Sequence, residues 1–542
     1  MKPWIVIPAR GGSTGVPRKN VRLLGDEPLI ARTIKTALKA TDAGRVVVIT
    51  DDDEIAEISE HYGAVVTREE KTTGKATLDQ VMVKTLPFLR TLGAVDSDVL
   101  LTMQPTCPFI RPARITEAIE KFKEGAGSVI TVVDDRHLGW VLDGAGLPKP
   151  DYTERLNRQA LPPHFRESGA IIGARIYDIA KQGTRIVQPI QLLELPREEA
   201  LDIDTFEDWA VAEHLVSRKR ILLRTDAAKE LGMGHVYRTL ALAQTLARHK
   251  VTIVLSKDKP LGADFFAEYP FEVALVETDL EFLNYARRNK ADLVVLDRLD
   301  NVAEFVTLLA GFCKVVTFED LGEGAEHADL LVADLYENPR VPAERQLTGV
   351  ENAILAPSFE TLHRHIDFHE DVHEILVLFG GTDPSGLAPK ALRALSQIEF
   401  DGTVTVVRGL GADLIDPADY KLPRLKVLSN VKNMPAVMQH ADLALSSAGR
   451  TITELSSMGV PTLCLAQNAK ELTHTHTTTS NGVIMLGLGA LVTEETLAQH
   501  LDELIENTDL RHKLHSRALE ATGGRSNERI VRRILRQIGL DR

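Results

Sequence analysis

The chain has 542 residues, too many for one ordinary core, so two to four domains are expected. Hydrophobic residues make up 44% and charged residues 26%, the balance of a globular protein in water, and a net charge of −14 argues against nucleic acid as a partner while leaving room for local phosphate binding. Three widely spaced cysteines, Cys107, Cys313 and Cys464, offer neither a disulfide framework nor a thiolate metal site.

In chain order, a short apolar strand at residues 4–7 runs into Pro8-Ala9-Arg10-Gly11-Gly12-Ser13-Thr14-Gly15-Val16-Pro17-Arg18-Lys19-Asn20. A helical pattern follows through Leu29, Ile30, Ile34 and Leu38. Glycines let backbone N–H groups approach phosphate oxygens, and Arg10, Arg18 and Lys19 supply charge, so a strand, this loop and a helix can hold a triphosphate. The spacing is neither a Walker loop nor a dinucleotide fingerprint. The first strand begins so early that a signal peptide is not expected, and no apolar run is long enough to cross a bilayer. The expected location is cytoplasmic.

Further β-rich runs alternate with helical patterns at 45–50, 99–103, 128–133, 220–224, 251–255, 291–296, 314–318, 374–379, 403–407 and 441–445. Alternation of this kind predicts α/β architecture, with parallel sheets covered on both faces. The basic joint Ser217-Arg218-Lys219-Arg220 marks a boundary, and the polar stretch His363-Arg364-His365-Ile366-Asp367-Phe368-His369 marks another. The expected domains are 1–217, 218–365 and 366–542. The last two read as the lobes of a Rossmann-like pair with a ligand between them.

Several motifs fall at strand ends. Asp51-Asp52-Asp53 most simply caps the next helix. Gln104 follows the strand at 99–103, at the carboxyl end where ligands bind in open α/β sheets, although it also serves as a turn residue before Pro105. Arg158 and Arg166 flank Leu161-Pro162-Pro163-His164-Phe165; each suits a carboxylate, or a salt bridge at a rim. Asp202 and Asp204 in Leu201-Asp202-Ile203-Asp204 would share one face of a strand, which suits a hard divalent cation such as Mg²⁺; a capping pair before the helix at 206–215 is the other reading.

The loop at 7–20, with Thr50-Asp51-Asp52, Gln104-Pro105-Thr106, Arg158-Gln159-x-Leu161-Pro162, Arg166-x-x-Gly169-Ala170 and Leu201-Asp202-Ile203-Asp204 in that order, resembles the cytidylyltransferases that activate sialic acids and related nine-carbon sugars. The resemblance spans residues 4–216. It implies attack of a sugar anomeric hydroxyl on the α-phosphate of CTP, with pyrophosphate leaving. It also implies that Arg10, Gly11, Gly12, Ser13, Lys19 and Asn20 hold phosphates, that Gln104, Arg158 and Arg166 hold the sugar acid, that Asp202 and Asp204 hold Mg²⁺, and that a homodimer forms through this domain. Two positions depart from the family: Thr14 stands where Lys is usual, and Ser168 where Asn is usual.

The second part carries Arg224-Thr225-Asp226 at a strand end, then Gly232-Met233-Gly234-His235 opening a helix. A histidine at the mouth of a βα turn is placed for general-base work, or for a cap or a buried structural role. Ser446-Ser447-Ala448-Gly449-Arg450-Thr451 repeats the strand–loop–helix pattern, with Glu454 one turn on. Small residues there can cradle a diphosphate, and Glu454 can accept from ribose hydroxyls. Gly380-Gly381-Thr382-Asp383 and Gln467-Asn468 lie at two further strand ends. Together these look like the UDP-sugar hydrolases that make 2,4-diacetamido-trideoxyhexoses, and like their spore-coat polysaccharide relatives, over residues 219–485.

That resemblance implies a two-lobed fold of the glycosyltransferase B type. His235 would activate water, and Asp226, Gly234, Gly381, Ser447, Gly449, Thr451, Glu454 and Asn468 would line a UDP-sugar site. Arg450 replaces a residue that is more often small, which leaves open a transferase acting on a sugar or lipid acceptor, or a module that only binds. His474 and His476 read as a solvated helix face.

Overall fold

Runs such as Val46-Val47-Val48-Ile49 suit strands buried on both faces, because β-branched side chains pack well on a pleated surface with a helix layer on each side. Such runs build three sheets in a computed structural model, which describes every residue except 1, 13–14, 70–75, 227–233, 363–366, 410, 430, 524–525 and 542. The chain divides into two units, Met1–Ser217 and Arg218–Arg542.

The first unit contains strands β1 (Trp4–Pro8), β2 (Val46–Thr50), β3 (Val65–Arg68), β4 (Val99–Thr102) and β5 (Ser128–Asp134). A hairpin of β6 (Trp140–Leu142) and β7 (Pro148–Pro150) follows, then β8 (Phe165–Arg175) and β9 (Ile190–Glu194). The sheet order is β9-β5-β8-β4-β1-β2-β3. Only β8 runs antiparallel, against both β4 and β5. β1 lies between β2 and β4, so the crossovers leave it in opposite directions and a crevice opens beyond its carboxyl end. Helices α1 (Leu29–Leu38) and α2 (Asp53–His61) follow β1 and β2, and α3 (Phe206–Ser217) closes the unit. The hairpin stands out with Trp140, Leu142 and Leu147 exposed.

The second unit has two fully parallel sheets. The first holds β10 (Arg220–Thr225), β11 (Lys250–Ser256), β12 (Glu272–Val276), β13 (Leu293–Asp297), β14 (Lys314–Phe318), β15 (Leu330–Ala333) and β16 (Gln346–Thr348), in the order β12-β11-β10-β13-β14-β15-β16. The second holds β17 (Glu374–Leu378), β18 (Thr403–Arg408), β19 (Leu425–Ser429), β20 (Leu443–Ser446), β21 (Thr462–Ala466) and β22 (Val483–Leu488), in the order β19-β18-β17-β20-β21-β22. The strand order reverses beside β10 and beside β17, so each lobe has a crevice of its own. Helix α4 (Gly234–Thr245) follows β10, and α5 (Thr451–Ser457) follows β20. Among the described residues no helix is long and apolar enough to cross a membrane.

Three expectations need correction. The last helix, α6 (Asn527–Gln537), does not belong to the second lobe as the division 366–542 would have it. Ile530, Val531, Ile534 and Leu535 share a core with Ile221, Leu223, Val236 and Leu240 of the first lobe, because the amphipathic helix buries its apolar stripe there. Residues 201–204 form no strand, since the Ile203 N–H bonds the Thr106 carbonyl at 2.9 Å in place of a ladder partner. His474 and His476 follow a single turn, Glu471–Thr473, and His476 is buried at 2% exposure. The proposed joint at 363–369 lies partly outside the described residues.

Candidate functional site

In the first unit the strand order reverses between β1 and β4, and the loops from these strands meet there. Asp51, at the end of β2, accepts from the Gly11 N–H at 2.9 Å and so ties down the glycine loop. Asp52 caps α2 by accepting from Ile55 N, and its carboxylate also pairs with Arg18 at 2.5 Å. A Cβ on Gly11 would sit 2.4 Å from Asp52 Oδ2, so the loop passes this strand end at a distance only glycine allows. Asn20 donates to the Arg10 carbonyl at 3.0 Å. Arg10 is partly exposed and lies 3.6 Å from Glu69. Gly12 is exposed with open space where a Cβ would stand; Ser13 and Thr14 lie outside the described residues.

Lys19 is drawn inward. Its amine donates to the Ile203 carbonyl and pairs with Asp204 at 3.0 Å. The Asp204 carbonyl packs so closely on Gly15 that a Cβ there would come within 1.9 Å. The loop and the Asp202–Asp204 segment therefore form one surface. Asp202 Oδ1 is buried without a hydrogen-bond partner among the described residues. Burial, with the charge of Asp204 added, raises the Asp202 carboxyl above its ordinary range. The Thr106 hydroxyl is near enough to oppose the shift but is not in hydrogen-bond geometry. An orphaned buried carboxylate oxygen beside an exposed second carboxylate fits a hard cation such as Mg²⁺.

Gln104 follows β4 at the same crevice and packs under Gly169, whose φ of +72° and close approach leave no room for a side chain. Ser168, at the departure from the family pattern, donates to the Thr131 hydroxyl at 2.9 Å and is buried. Arg166 is exposed on β8 and pairs with Asp135 at 3.1 Å; Arg158 is exposed in a short turn. Thus Arg10, Gly11, Lys19, Asn20, Asp202 and Asp204 are linked directly or through one residue, whereas Arg158 and Arg166 stand on the segment that carries the hairpin.

In the second unit, residues from both lobes converge. Gly234, at the start of α4, lies so near Arg450, at the start of α5, that a Cβ on it would be 3.4 Å from Arg450 Cδ. His235 Nδ1 is 2.6 Å from Asp297 Oδ1, at the end of β13. Arg238, three residues along α4, grips the same carboxylate with Nε at 2.8 Å and with its Nη2. The other arm of Arg238 reaches Glu319 at 3.4 Å and Asp334 at 3.8 Å. Asp334 in turn takes Arg450 at 3.4 Å, and Arg450 also donates to the Ile354 carbonyl at 3.0 Å.

Arg238, Asp297, Glu319 and Asp334 are deeply buried. Burial works against ionised Asp297, but Arg238 and His235 outweigh it and hold the carboxyl well below its usual range. Burial also opposes charge on Asp334, and Arg450 and Arg238 overcome it. Glu319, buried and beside charged Asp334, is pushed well above the ordinary range. Its backbone sits at φ +52°, a left-handed setting that costs a non-glycine residue about 1–2 kcal/mol. Burial raises the Glu454 carboxyl to about 7, opposed by Arg450.

Asp226 is engaged by Arg224 at 2.5 Å and Lys259 at 3.2 Å. Gly449 and Gly381 leave open space where a Cβ would stand; Ser447 is buried, and Thr451 opens α5. Asn468 accepts from Glu471 N at 3.1 Å. Gln467 donates to Asp383 at 2.8 Å, joining the loop after β21 to the loop after β17. His476 places its ring nitrogens 3.3 Å from the Leu335 carbonyl and 3.2 Å from the Gly449 carbonyl, which joins the lobes beside the glycine loop. Sequence reading missed Asp297, Arg238, Glu319 and Asp334. The spacing His235-x-x-Arg238, which puts two polar residues one turn apart on one face at the start of the helix, is the signal that could have found the pair.

Comparison with known proteins fits this division. The cytidylyltransferase family model matches residues 4–207. CMP-N,N'-diacetyllegionaminic acid synthase of Legionella pneumophila is 34% identical over 225 residues, 40% of this chain and 97% of the relative. Spore coat polysaccharide biosynthesis protein SpsG of Bacillus subtilis is 28% identical over 325 residues, 56% of this chain and 95% of the relative. An uncharacterized protein of Methanocaldococcus jannaschii, MJ1062, is 29% identical over 270 residues, and this chain spans 56% of its length. Through its first unit, with the glycine loop, Lys19 and the Asp202–Asp204 pair around one crevice, the chain belongs to the cytidylyltransferase family.

Proposed function

We propose that the chain is a bifunctional enzyme for making an activated nonulosonic acid. The first unit transfers CMP from CTP to a sialic-acid-like 2-keto sugar acid. The anomeric hydroxyl oxygen bonds to the α-phosphorus, the bond to the bridging oxygen breaks, and pyrophosphate leaves. Arg10, Lys19, Asn20 and the N–H groups of the glycine loop hold the phosphates, while Gln104, Arg158 and Arg166 orient the sugar acid. Asp202 and Asp204 would hold Mg²⁺, which when bound supplies charge neutralisation on the phosphates. Little covalent work falls to the protein, and positioning dominates. The observation that carries this reading is the orphaned Asp202 oxygen beside the Lys19–Asp204 pair. The legionaminic relative supports the class of acceptor.

The second unit hydrolyses a UDP-diacetamido-trideoxyhexose. Water bonds to the anomeric carbon, its proton passes to His235 Nε2, and the carbon–oxygen bond to UDP breaks with the electron pair going to UDP. Ser447, Gly449, Thr451 and Glu454 hold the nucleotide. The carrying observation is His235 with Nδ1 on a buried carboxylate, while Nε2 has no partner among the described residues. A second reading, transfer to a sugar or lipid acceptor, is favoured by Arg450, which fills space beside Gly234. The expected location of both reactions is the cytoplasm, and three cysteines without a disulfide are consistent with it. A homodimer through the first unit would cover the apolar hairpin β6–β7.

UDP release from UDP-2,4-diacetamido-2,4,6-trideoxyhexoses without acceptor tests the reading. Wild type releases UDP, and His235→Ala loses at least about 10²-fold of the rate, the size of a general-base contribution. Release only when an acceptor is added would replace hydrolysis with transfer.

A further inference from the structure

The buried residues behind His235 raise a question of tautomer. A neutral imidazole carries one N–H, and the hydrogen bond made by one nitrogen decides what the other can do. His235 Nδ1 has two polar neighbours: Asp297 Oδ1 at 2.6 Å, and Arg238 Nη2 at 3.3 Å. Ionised carboxylate oxygens only accept, and a guanidinium only donates. At 2.6 Å a hydrogen must lie between Nδ1 and Oδ1, because two facing lone pairs would repel. The Arg238 contact is longer and so yields to it. The proton therefore belongs on Nδ1, and the lone pair on Nε2.

The carboxylate is itself held firmly. Arg238 binds both Asp297 oxygens, and the Thr239 hydroxyl lies 3.5 Å from Oδ2. Asp297 ends the central strand β13, and His235 and Arg238 stand one turn apart on α4. Strand and helix thus fix the imidazole from behind at two points.

We infer that Asp297 is the positioning residue of His235: it accepts the Nδ1–H, Arg238 holds it in place, and the Nε2 lone pair is thereby kept available for the proton of the incoming nucleophile. This rests on His235 being the base of the second unit. It adds that the base works only as a pair, and it holds whether the nucleophile is water or an acceptor hydroxyl. Asp297 touches no reacting atom. In the reaction, the nucleophile's proton moves to Nε2 while Asp297 stays ionised and faces the imidazolium.

Two measurements on the full chain test the inference. The first is a double-mutant cycle on UDP release with wild type, His235→Ala, Asp297→Asn and the double variant. Asp297→Asn should lower kcat about 10²–10⁴-fold with little change in KM, and should cost less than about threefold in the His235→Ala background. An equal loss in both backgrounds would mean that Asp297 acts through the fold alone, and would overturn the inference. The second measurement needs no turnover and no variant of Asp297. In ¹⁵N-histidine-labelled wild type, the ring nitrogens of His235, assigned by their loss in His235→Gln, should report a protonated Nδ1 and an unprotonated Nε2 in the neutral ring. The opposite tautomer overturns the inference even if hydrolysis is found. The expected tautomer with no UDP release, with or without acceptor, leaves the pair standing and removes the catalytic reading instead.

Discussion

The two units handle charge in opposite ways. In the first, the site ions sit on loops at the rim of the sheet. Lys19 is largely covered, but its partner Asp204 keeps 70% of its side chain in solvent. In the second, Arg238, Asp297 and Asp334 have at most 2% exposure each and the two carboxylates gather around the one guanidinium. Rim ions are cheap to hold and are available to a ligand. Buried ions are costly to desolvate, and each is tolerated only while its partners remain. The first site should therefore be separable from stability and the second should not.

The largest test of that contrast is Arg238→Met. It leaves buried Asp297 with His235, and buried Asp334 with Arg450, as the nearest remaining counter-charges in place of the shared guanidinium, and should cost the second unit about 3–5 kcal/mol. The chain allows the two units to be read apart, because its tryptophans, Trp4, Trp140 and Trp209, all lie in the first. Urea unfolding followed by tryptophan fluorescence should be unchanged, while the far-ultraviolet dichroism transition moves to lower urea. Equal shifts in both signals would break the comparison. Lys19→Met is the converse. CMP transfer should fall about 10²–10³-fold, as for loss of one charge-stabilising donor. The fluorescence-detected transition should move by no more than about 1–2 kcal/mol, the cost of the Ile203 carbonyl left without its donor. Near-complete activity in Lys19→Met would remove that lysine from the phosphate site.

The sequence made the sheets readable because apolar β-branched runs between glycine turns have few alternatives. It also placed the loop residues and the Asp202–Asp204 pair in the same unit. It did not disclose that Asp51, read only as part of a cap, holds Gly11, since that bond crosses from the end of β2 to the loop after β1. Nor did it show that Ile203 bonds Thr106 and so keeps the Asp202–Asp204 segment out of the sheet. Asp297 lies 62 residues from His235, and Asp334 lies 116 from Arg450. No local period relates such pairs; the order of parallel strands brings the first together, and the meeting of the two lobes the second. Likewise the amphipathic pattern of α6 says that one face is buried, not in which lobe.

A smaller effect sharpens the comparison, because it concerns a charge that the second unit tolerates only in part. The Glu454 carboxyl, one turn into α5, is raised by burial to about 7, with Arg450 opposing and Asp334 adding to the shift. In the unfolded chain it titrates near the ordinary value of about 4.3. A carboxyl raised on folding gives stability that is fully present below the unfolded value and is lost as pH rises through the folded one. Wild type should therefore lose about 3 kcal/mol from this group between roughly pH 4.5 and 7, and little more above that. Glu454→Gln keeps the shape and removes the titration. By far-ultraviolet dichroism in urea, the variant should nearly match wild type at pH 4.5 and exceed it by about 2–3 kcal/mol at pH 8. Parallel stability curves would show that the carboxyl reaches water in solution, and that the interior of the second unit excludes charge less strictly than its paired ions suggest.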